Sequence, residues 1–153
     1  MTSAPDVYSA GDCAAVRWRD GTQRPELLWY TARDQGRVAG RRLAGLEANY
    51  QRGLWYNSAK LFDVEYTTVG LLGEPAAALG NHTEFFAEEK GRVRSSVRLS
   101  FSEGGLVGAN LLGRRWDHEA FLIWIRENRP LSYVQKHLSE AAFDTEFVPP
   151  LAN

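Results

Sequence analysis

A carboxylate placed directly after a glycine, at the end of an apolar run, is the first feature with chemistry in it. Val7-Tyr8-Ser9-Ala10 reads as the end of a short buried strand, and Gly11-Asp12 stops it. Such a strand brings its carboxylate to the carboxyl edge of a sheet, where open α/β folds bind ligands. Gly11 has no Cβ and lets backbone approach a ligand closely. Asp12 is then placed to accept hydrogen bonds from ribose or ribityl hydroxyls. Taken alone, Gly-Asp after a strand is more often an ordinary turn. The residues that follow shift this balance. Glu26, Trp29, Ala32, Gln35, Gly36, Ala39 and Gly40 form the pattern Glu-x-x-Trp-x-x-Ala-x-x-Gln-Gly-x-x-Ala-Gly. A helix starting near Tyr30-Thr31 presents unpaired N–H groups and a positive dipole end. Those groups suit an electron-rich flavin edge around N1 and O2, where negative charge accumulates on reduction. A helix packing through its small face accounts for the Ala and Gly spacing, but not for the Trp and the Gln.

Other reactive side chains have blander readings. His82, His118 and His137 share no metal-ligand spacing and read as surface or capping residues. No metal site is expected, and no catalytic residue is assigned. Asp63 and Glu65 alternate on one strand face, which reads as an outward polar face. Cys13, the only cysteine, permits no intrachain disulfide and no Cys-x-x-Cys pair. Ser9 and Ser58 have no evident His partner for a nucleophilic triad.

These residues need elements to hold them. Trp29 to Leu43 reads as a helix with small residues on one side, Arg41 and Arg42 at its negative end, and Gly45 as its C-terminal cap. Asp20-Gly21 is a turn signal. Residues 46 to 53 read as a linker. Phe62, Val64, Tyr66 and Thr68 alternate with polar residues, which predicts a half-buried strand with the apolar set inward. Residues 71 to 81 read as a loop. Strands are expected over Thr83 to Glu88, Arg92 to Phe101 and Leu106 to Leu112, with turns at Lys90-Gly91 and Gly104-Gly105. Two helices close the chain. One runs from Asp117, its N-cap, to Asn128 and buries Phe121, Leu122 and Ile125. The other runs from Ser132 to about Ala142, and a tail follows. The expected class is α+β: an antiparallel sheet with two C-terminal helices over residues 51–153, preceded by a strand–helix piece of an α/β domain over residues 1–50. A lone strand and helix cannot bury their own apolar faces, so residues 1–50 call for a partner surface.

Composition narrows the function. The 153 residues are 44% hydrophobic, enough for a packed core. Five Trp, six Tyr and seven Phe are sufficient to fill a core and line a pocket for a planar ligand. A net charge of -1 argues against nucleic-acid binding. No apolar stretch approaches the roughly 18 residues of a membrane span. The first residues show no signal peptide, and a cytoplasmic location is the expectation.

Val7-Tyr8-Ser9-Ala10-Gly11-Asp12-Cys13-Ala14 resembles the second FAD motif of the FAD-dependent pyridine nucleotide-disulfide oxidoreductases, such as ferredoxin and rubredoxin reductases and NADH oxidases. Glu26 to Gly40 is similar to the helix that follows that motif. Leu54-Trp55-Tyr56-Asn57-Ser58 resembles the entry to the family's C-terminal interface domain. Gly105 to Gly113, and Arg126 to Leu131, resemble stretches near its end. The resemblance implies that Gly11 and Asp12 hold the ribityl or pyrophosphate region of FAD. It implies that Trp29, Tyr30 and Thr31 border the flavin, with Trp55 and Tyr56 as further neighbours. It also implies a homo-oligomer or a complementary flavoprotein domain as partner.

The family's two Gly-x-Gly-x-x-Gly motifs, for the FAD adenylate and for NAD(P)H, do not occur in this sequence. The expectation is therefore a C-terminal portion of the flavoenzyme. It would carry part of the FAD site and no NAD(P)H site, with little or no FAD affinity of its own. A non-enzymatic interaction or dimerisation module and one half of a split flavoenzyme are the alternative readings.

Overall fold

The computed structural model describes residues 1–17, 22–89 and 95–143. The expected turns at Asp20-Gly21 and Lys90-Gly91, and the tail after Phe143, lie outside them. The described chain is a mixture of helices and antiparallel strands, arranged in two compact units, Met1–Gly53 and Leu54–Asn153.

In the first unit a short antiparallel pair, β1 (Ala15–Arg17) and β2 (Gln23–Pro25), precedes α1 (Trp29–Leu43). The helix has the expected bounds and the expected ending. Gly45 sits at φ +75°, its N–H donates to Arg42 O (3.0 Å), and the Leu46 N–H donates to Arg41 O (2.9 Å). This double bond pattern caps the last carbonyls and requires a left-handed residue, which glycine adopts without a Cβ penalty. Val7–Ala10 is not a strand. The Thr2 N–H donates to Val7 O (2.8 Å), and Val7 is half exposed. A local turn uses the backbone groups that a sheet neighbour would otherwise pair.

The second unit is a five-stranded antiparallel sheet in the order β3-β4-β7-β6-β5. Its strands are β3 (Tyr56–Leu61), β4 (Val64–Gly70), β5 (His82–Glu89), β6 (Ser95–Ser102) and β7 (Gly105–Leu112). A four-residue helix, α2 (Glu74–Ala77), stands in the expected loop, with Pro75 in its first turn, where the missing N–H costs nothing. The chain ends in α3 (His118–Arg126) and α4 (Leu131–His137), the latter running into a 3₁₀ turn at Leu138–Ala141. Asp117 caps α3 as expected, accepting the Glu119 N–H at 3.0 Å. Asn128, at φ +53°, ends it in the same way as Gly45 ends α1.

The core lies between the sheet and the C-terminal helices. Val97, Leu99 and Phe101 of β6, with Leu106, Ala109 and Leu111 of β7, meet Phe121, Leu122, Trp124 and Val134. All are buried. Ile125 packs at the edge, and Trp124 takes the deeper place not expected of it. Two glycines allow a close crossing. A Cβ at Gly108 would overlap the Leu71 carbonyl, and one at Gly70 would overlap the Val107 carbonyl.

The first strand region departs from the sequence reading. Phe62 does not start a strand. It sits at φ +53° in the turn between β3 and β4 and is 89% exposed. Thr67 and Val69 are buried, so the inward set is the opposite of the one that alternation suggested. Val69 lies between Tyr56 and Ala109 in register, and α3 packs against β4 and β7. Burial under the helix decides the face. The buried Thr67 hydroxyl is satisfied by Ser58 Oγ at 3.0 Å. The turn before β7 is Glu103-Gly104, both at positive φ, as a two-residue type I′ hairpin demands.

Candidate functional site

Of the candidate residues of the first unit, Gly11 is held against α1 and Trp29, Tyr30 and Thr31 form its first turn. Gly11 is buried at φ +82°, a conformation that strains any residue with a side chain. Its N–H donates to Gln35 Oε1 at 2.8 Å, and a Cβ there would meet the Ala32 Cβ at 3.4 Å. The turn carrying Asp12 is thereby seated against α1, next to the helix turn that follows Trp29–Thr31. Asp12 itself is exposed. Cys13, beside it, is also exposed, with Ser9 Oγ 3.4 Å from its sulfur.

The first turn of α1 is open in the way that an electron-rich ligand needs. Its N-cap residue is Leu28, which has no side-chain acceptor, and no acidic residue stands in the first turn. The dipole end is therefore not neutralised by its own cap. The Thr31 hydroxyl donates to Leu28 O at 3.0 Å and so faces backbone. Trp29 is 69% exposed, edge-on to Tyr30 (centroids 5.4 Å apart), and the Arg33 guanidinium lies 5.2 Å from its ring. Gly36 and Gly40, the small face of α1, have no atom of the described structure within 4 Å of a built Cβ. That face is open.

Sequence reasoning singled out Gln35 without a role and missed its partners. Gln35 Nε2 donates to Glu26 Oε2 at 3.1 Å. The Tyr50 hydroxyl donates to the same oxygen, and the Arg52 guanidinium pairs with Oε1. Glu26 is only 4% exposed, so a buried carboxylate is held by three donors, one on α1 and two from the segment after it. Burial first, then the hydrogen bond to Glu26, pushes the Tyr50 hydroxyl up to about 12. Tyr50 and Arg52 fell in the expected linker. The one available signal was Gln35, which helix packing did not explain, in one pattern with Glu26. A cavity of about 250 Å3 opens beside this network, lined by Tyr8, Ser9, Gln35, Ala39, Arg42 and Tyr50 among others.

The remaining candidates belong to the second unit. Tyr56 is partly buried and stacks on His118 (centroids 4.5 Å apart), so its ring is engaged there. The Trp55 carbonyl accepts the Gly70 N–H at 2.7 Å. Among the described residues no group of three or more His, Cys, Asp or Glu side chains is arranged to hold a metal ion. No described helix is long and apolar enough to cross a membrane.

No family model matches the chain. Curated relatives do. The ferredoxin reductase subunit of 5,5'-dehydrodivanillate O-demethylase from Sphingobium sp. is 32% identical over 120 residues, covering 77% of this chain and 27% of that protein. The human pyridine nucleotide-disulfide oxidoreductase domain-containing protein 1 is 26% identical over 153 residues, covering 95% of this chain and 30% of that protein. Among solved structures, a NAD-dependent persulfide reductase from A. fulgidus superposes with a TM-score of 0.68 at 19% identity, covering 99% of this chain and 30% of that one. The chain thus spans less than a third of the length of these relatives. In sequence and in fold it is similar to the C-terminal part of pyridine nucleotide-disulfide oxidoreductases, a group that includes ferredoxin reductase subunits and NADH oxidases.

Proposed function

We propose that the chain is the C-terminal portion of a FAD-dependent NAD(P)H oxidoreductase. Residues 1–50 supply one wall of the flavin site, and residues 51–153 form an interface domain for a second copy or a complementary flavoprotein domain. When bound, FAD supplies the acceptor for a hydride from NAD(P)H. The chain's own contribution is binding and orientation. Asp12 accepts hydrogen bonds from the ribityl or pyrophosphate-side hydroxyls, and Gly11 lets backbone come close. The first-turn backbone of α1 at Trp29, Tyr30 and Thr31 stabilises negative charge on the pyrimidine side of the ring.

The observation that carries this reading is the pairing of a left-handed, buried Gly11 with α1, whose first turn has neither a side-chain cap nor an acid. This supports a reading in which a carboxylate for hydroxyls and a positive helix end for an electron-rich edge serve one ligand. The residues fit the ribityl and pyrimidine parts of FAD. Nothing in the sequence fits the adenylate, whose Gly-rich motif is absent from it.

Titration of the ¹⁵N-labelled chain with FAD tests the proposal. The expected result is weak binding, with a Kd on the order of a millimolar, and amide shifts centred on Gly11, Asp12 and Trp29–Thr31. Asp12→Ala weakens it further. Micromolar or tighter binding contradicts a partial site. Shifts that avoid these residues, or no shifts at all, overturn the assignment.

A further inference from the structure

We propose that Gln35 and Glu26 are positioning residues for the flavin site, a clamp that fixes the Asp12 turn relative to the first turn of α1. This inference rests on the flavin reading above. Its basis is the direction of a hydrogen-bond chain. The Gly11 N–H donates to Gln35 Oε1 (2.8 Å), and Gln35 Nε2 donates to Glu26 Oε2 (3.1 Å). Tyr50 and Arg52 complete the carboxylate from residues after the helix. Both Gln35 and Glu26 are 4% exposed, so these bonds are largely shielded from solvent.

A side-chain amide, without charge, accepts from Gly11 through its oxygen and donates to Glu26 through its NH2 group. Leu or Met at position 35 would fill the space, leave the Gly11 N–H without its acceptor and take one of three donors from Glu26. Glu at 35 would accept from Gly11 but face a second carboxylate. The bond from the Gly11 N–H to Gln35 is the one tertiary hydrogen bond described for the Gly11 backbone. The Ala32 methyl would be met only by a Cβ that Gly11 lacks, and so does not set the turn's orientation. Glu26 lies three residues before Trp29, so the same chain also anchors the entry to α1, where the Thr31 hydroxyl reaches back to Glu26 O at 3.4 Å. The two halves of the proposed flavin contact, Asp12 and the helix start, are tied to one buried carboxylate.

The test uses the whole chain with three variants: Gln35→Leu, Gln35→Glu, and the double exchange Glu26→Gln with Gln35→Glu. The double exchange moves the carboxylate to position 35 and restores one acceptor for Gly11 and one amide–carboxylate bond. Amide exchange of Gly11 reads the clamp without any flavin. It should quicken about tenfold or more in Gln35→Leu, quicken in Gln35→Glu, and return toward the original rate in the double exchange. Thermal melting reports whether each variant folds. In FAD titrations followed by NMR, Gln35→Leu should weaken binding about as much as Asp12→Ala, and the double exchange should recover it.

The double exchange separates orientation from stability, because a purely structural role predicts that affinity follows melting temperature across the set. Affinity that does follow melting temperature, with no recovery at matched stability, overturns the clamp. So does unchanged FAD affinity in Gln35→Leu when Asp12→Ala weakens it, and that result leaves the flavin assignment standing. If FAD shifts no amide near Asp12 in the unaltered chain, the flavin reading fails and the positioning role falls with it. The Gly11 exchange rates then still report whether the hydrogen-bond chain exists.

Discussion

Glu26→Gln is the substitution that weighs the buried network most directly. It keeps shape and volume and removes only charge and one acceptor. In the structure three donors converge on the carboxylate: Gln35 Nε2 and the Tyr50 hydroxyl on Oε2, and Arg52 on Oε1. An amide offers one oxygen and one NH2 group. If its oxygen serves Gln35 and Tyr50, its NH2 faces the Arg52 guanidinium. If it turns round, its NH2 faces the Gln35 amide, and Tyr50 has to reverse its hydroxyl. Either way the introduced NH2 group faces another donor in place of an acceptor, which costs about 1–3 kcal/mol. Losing the ion pair adds little, because the Arg52 side chain is 26% exposed and partly screened by solvent. The expected loss is about 2 kcal/mol. Exchange of the α1 amides over Trp29–Leu43 should therefore quicken roughly thirtyfold, at tenfold per 1.4 kcal/mol. Spectrophotometric titration adds a second arm, with Tyr50→Phe as the reference that isolates this residue among six tyrosines. The Tyr50 hydroxyl should titrate below about 12 in Glu26→Gln yet stay above 10, since burial is the larger cause and is untouched. Exchange unchanged within threefold, or a Tyr50 titration that does not move, would refute the idea that Glu26 holds this unit together.

The same hydroxyl gives a pH dependence. With its pKa raised from 10.0 to about 12 in the folded state, Tyr50 contributes stability that is whole below pH 10. That stability is lost as pH rises from 10 toward 12, where the unfolded chain ionises first. Denaturant melts at pH 9 and pH 11.5 should show a smaller drop for Tyr50→Phe than for the unaltered chain. In the second unit Gly108→Ala sets a Cβ against the Leu71 carbonyl, a backbone group that cannot yield cheaply. A loss of about 3 kcal/mol or more in urea unfolding is expected. Phe121→Ala, at a fully buried position against Trp116 and Trp124, should cost about 3–5 kcal/mol in the same assay. Asp117→Ala removes the side-chain acceptor for the Glu119 N–H and should cost about 1 kcal/mol.

What the sequence conveyed well is what local rules determine. The bounds of α1 followed from its small-residue spacing, terminal arginines and Gly45. The Asp117 cap and the three strands from His82 to Leu112 followed from capping and turn chemistry. Local rules failed where tertiary burial decides. Alternation from Phe62 to Thr68 was real, but its period does not say which face meets the helix. Val69, pinned between Tyr56 and Ala109, turned the strand over. β3 escaped notice because Asn57, Ser58 and Lys60 lack a strand-like apolar pattern and pair only because β4 lies alongside. Asn128 ends α3 in a conformation more usual for glycine, and its side chain occupies the space that a Cβ on Gly105 would need.

The candidate site divides along the same line. Gly11 and Asp12 were legible because a Gly-Asp turn leaves a local trace, and Trp29–Thr31 because helix starts do. The carboxylate that ties them together was not. Glu26 and Gln35 are nine residues apart, and Tyr50 and Arg52 lie in what reads as a polar linker. No periodicity links such positions, since a buried polar network is defined by donors and acceptors meeting in space. Yet a sequence trace existed. Gln35 was the member of the pattern, besides Trp29, that small-face packing left without a purpose, and it proved buried and paired with Glu26 of the same pattern. Trp29 alone stayed exposed, at 69%. Within one pattern, then, burial separates two kinds of unexplained residue: one that holds the unit's own backbone, and one whose face is left open to a ligand or a partner.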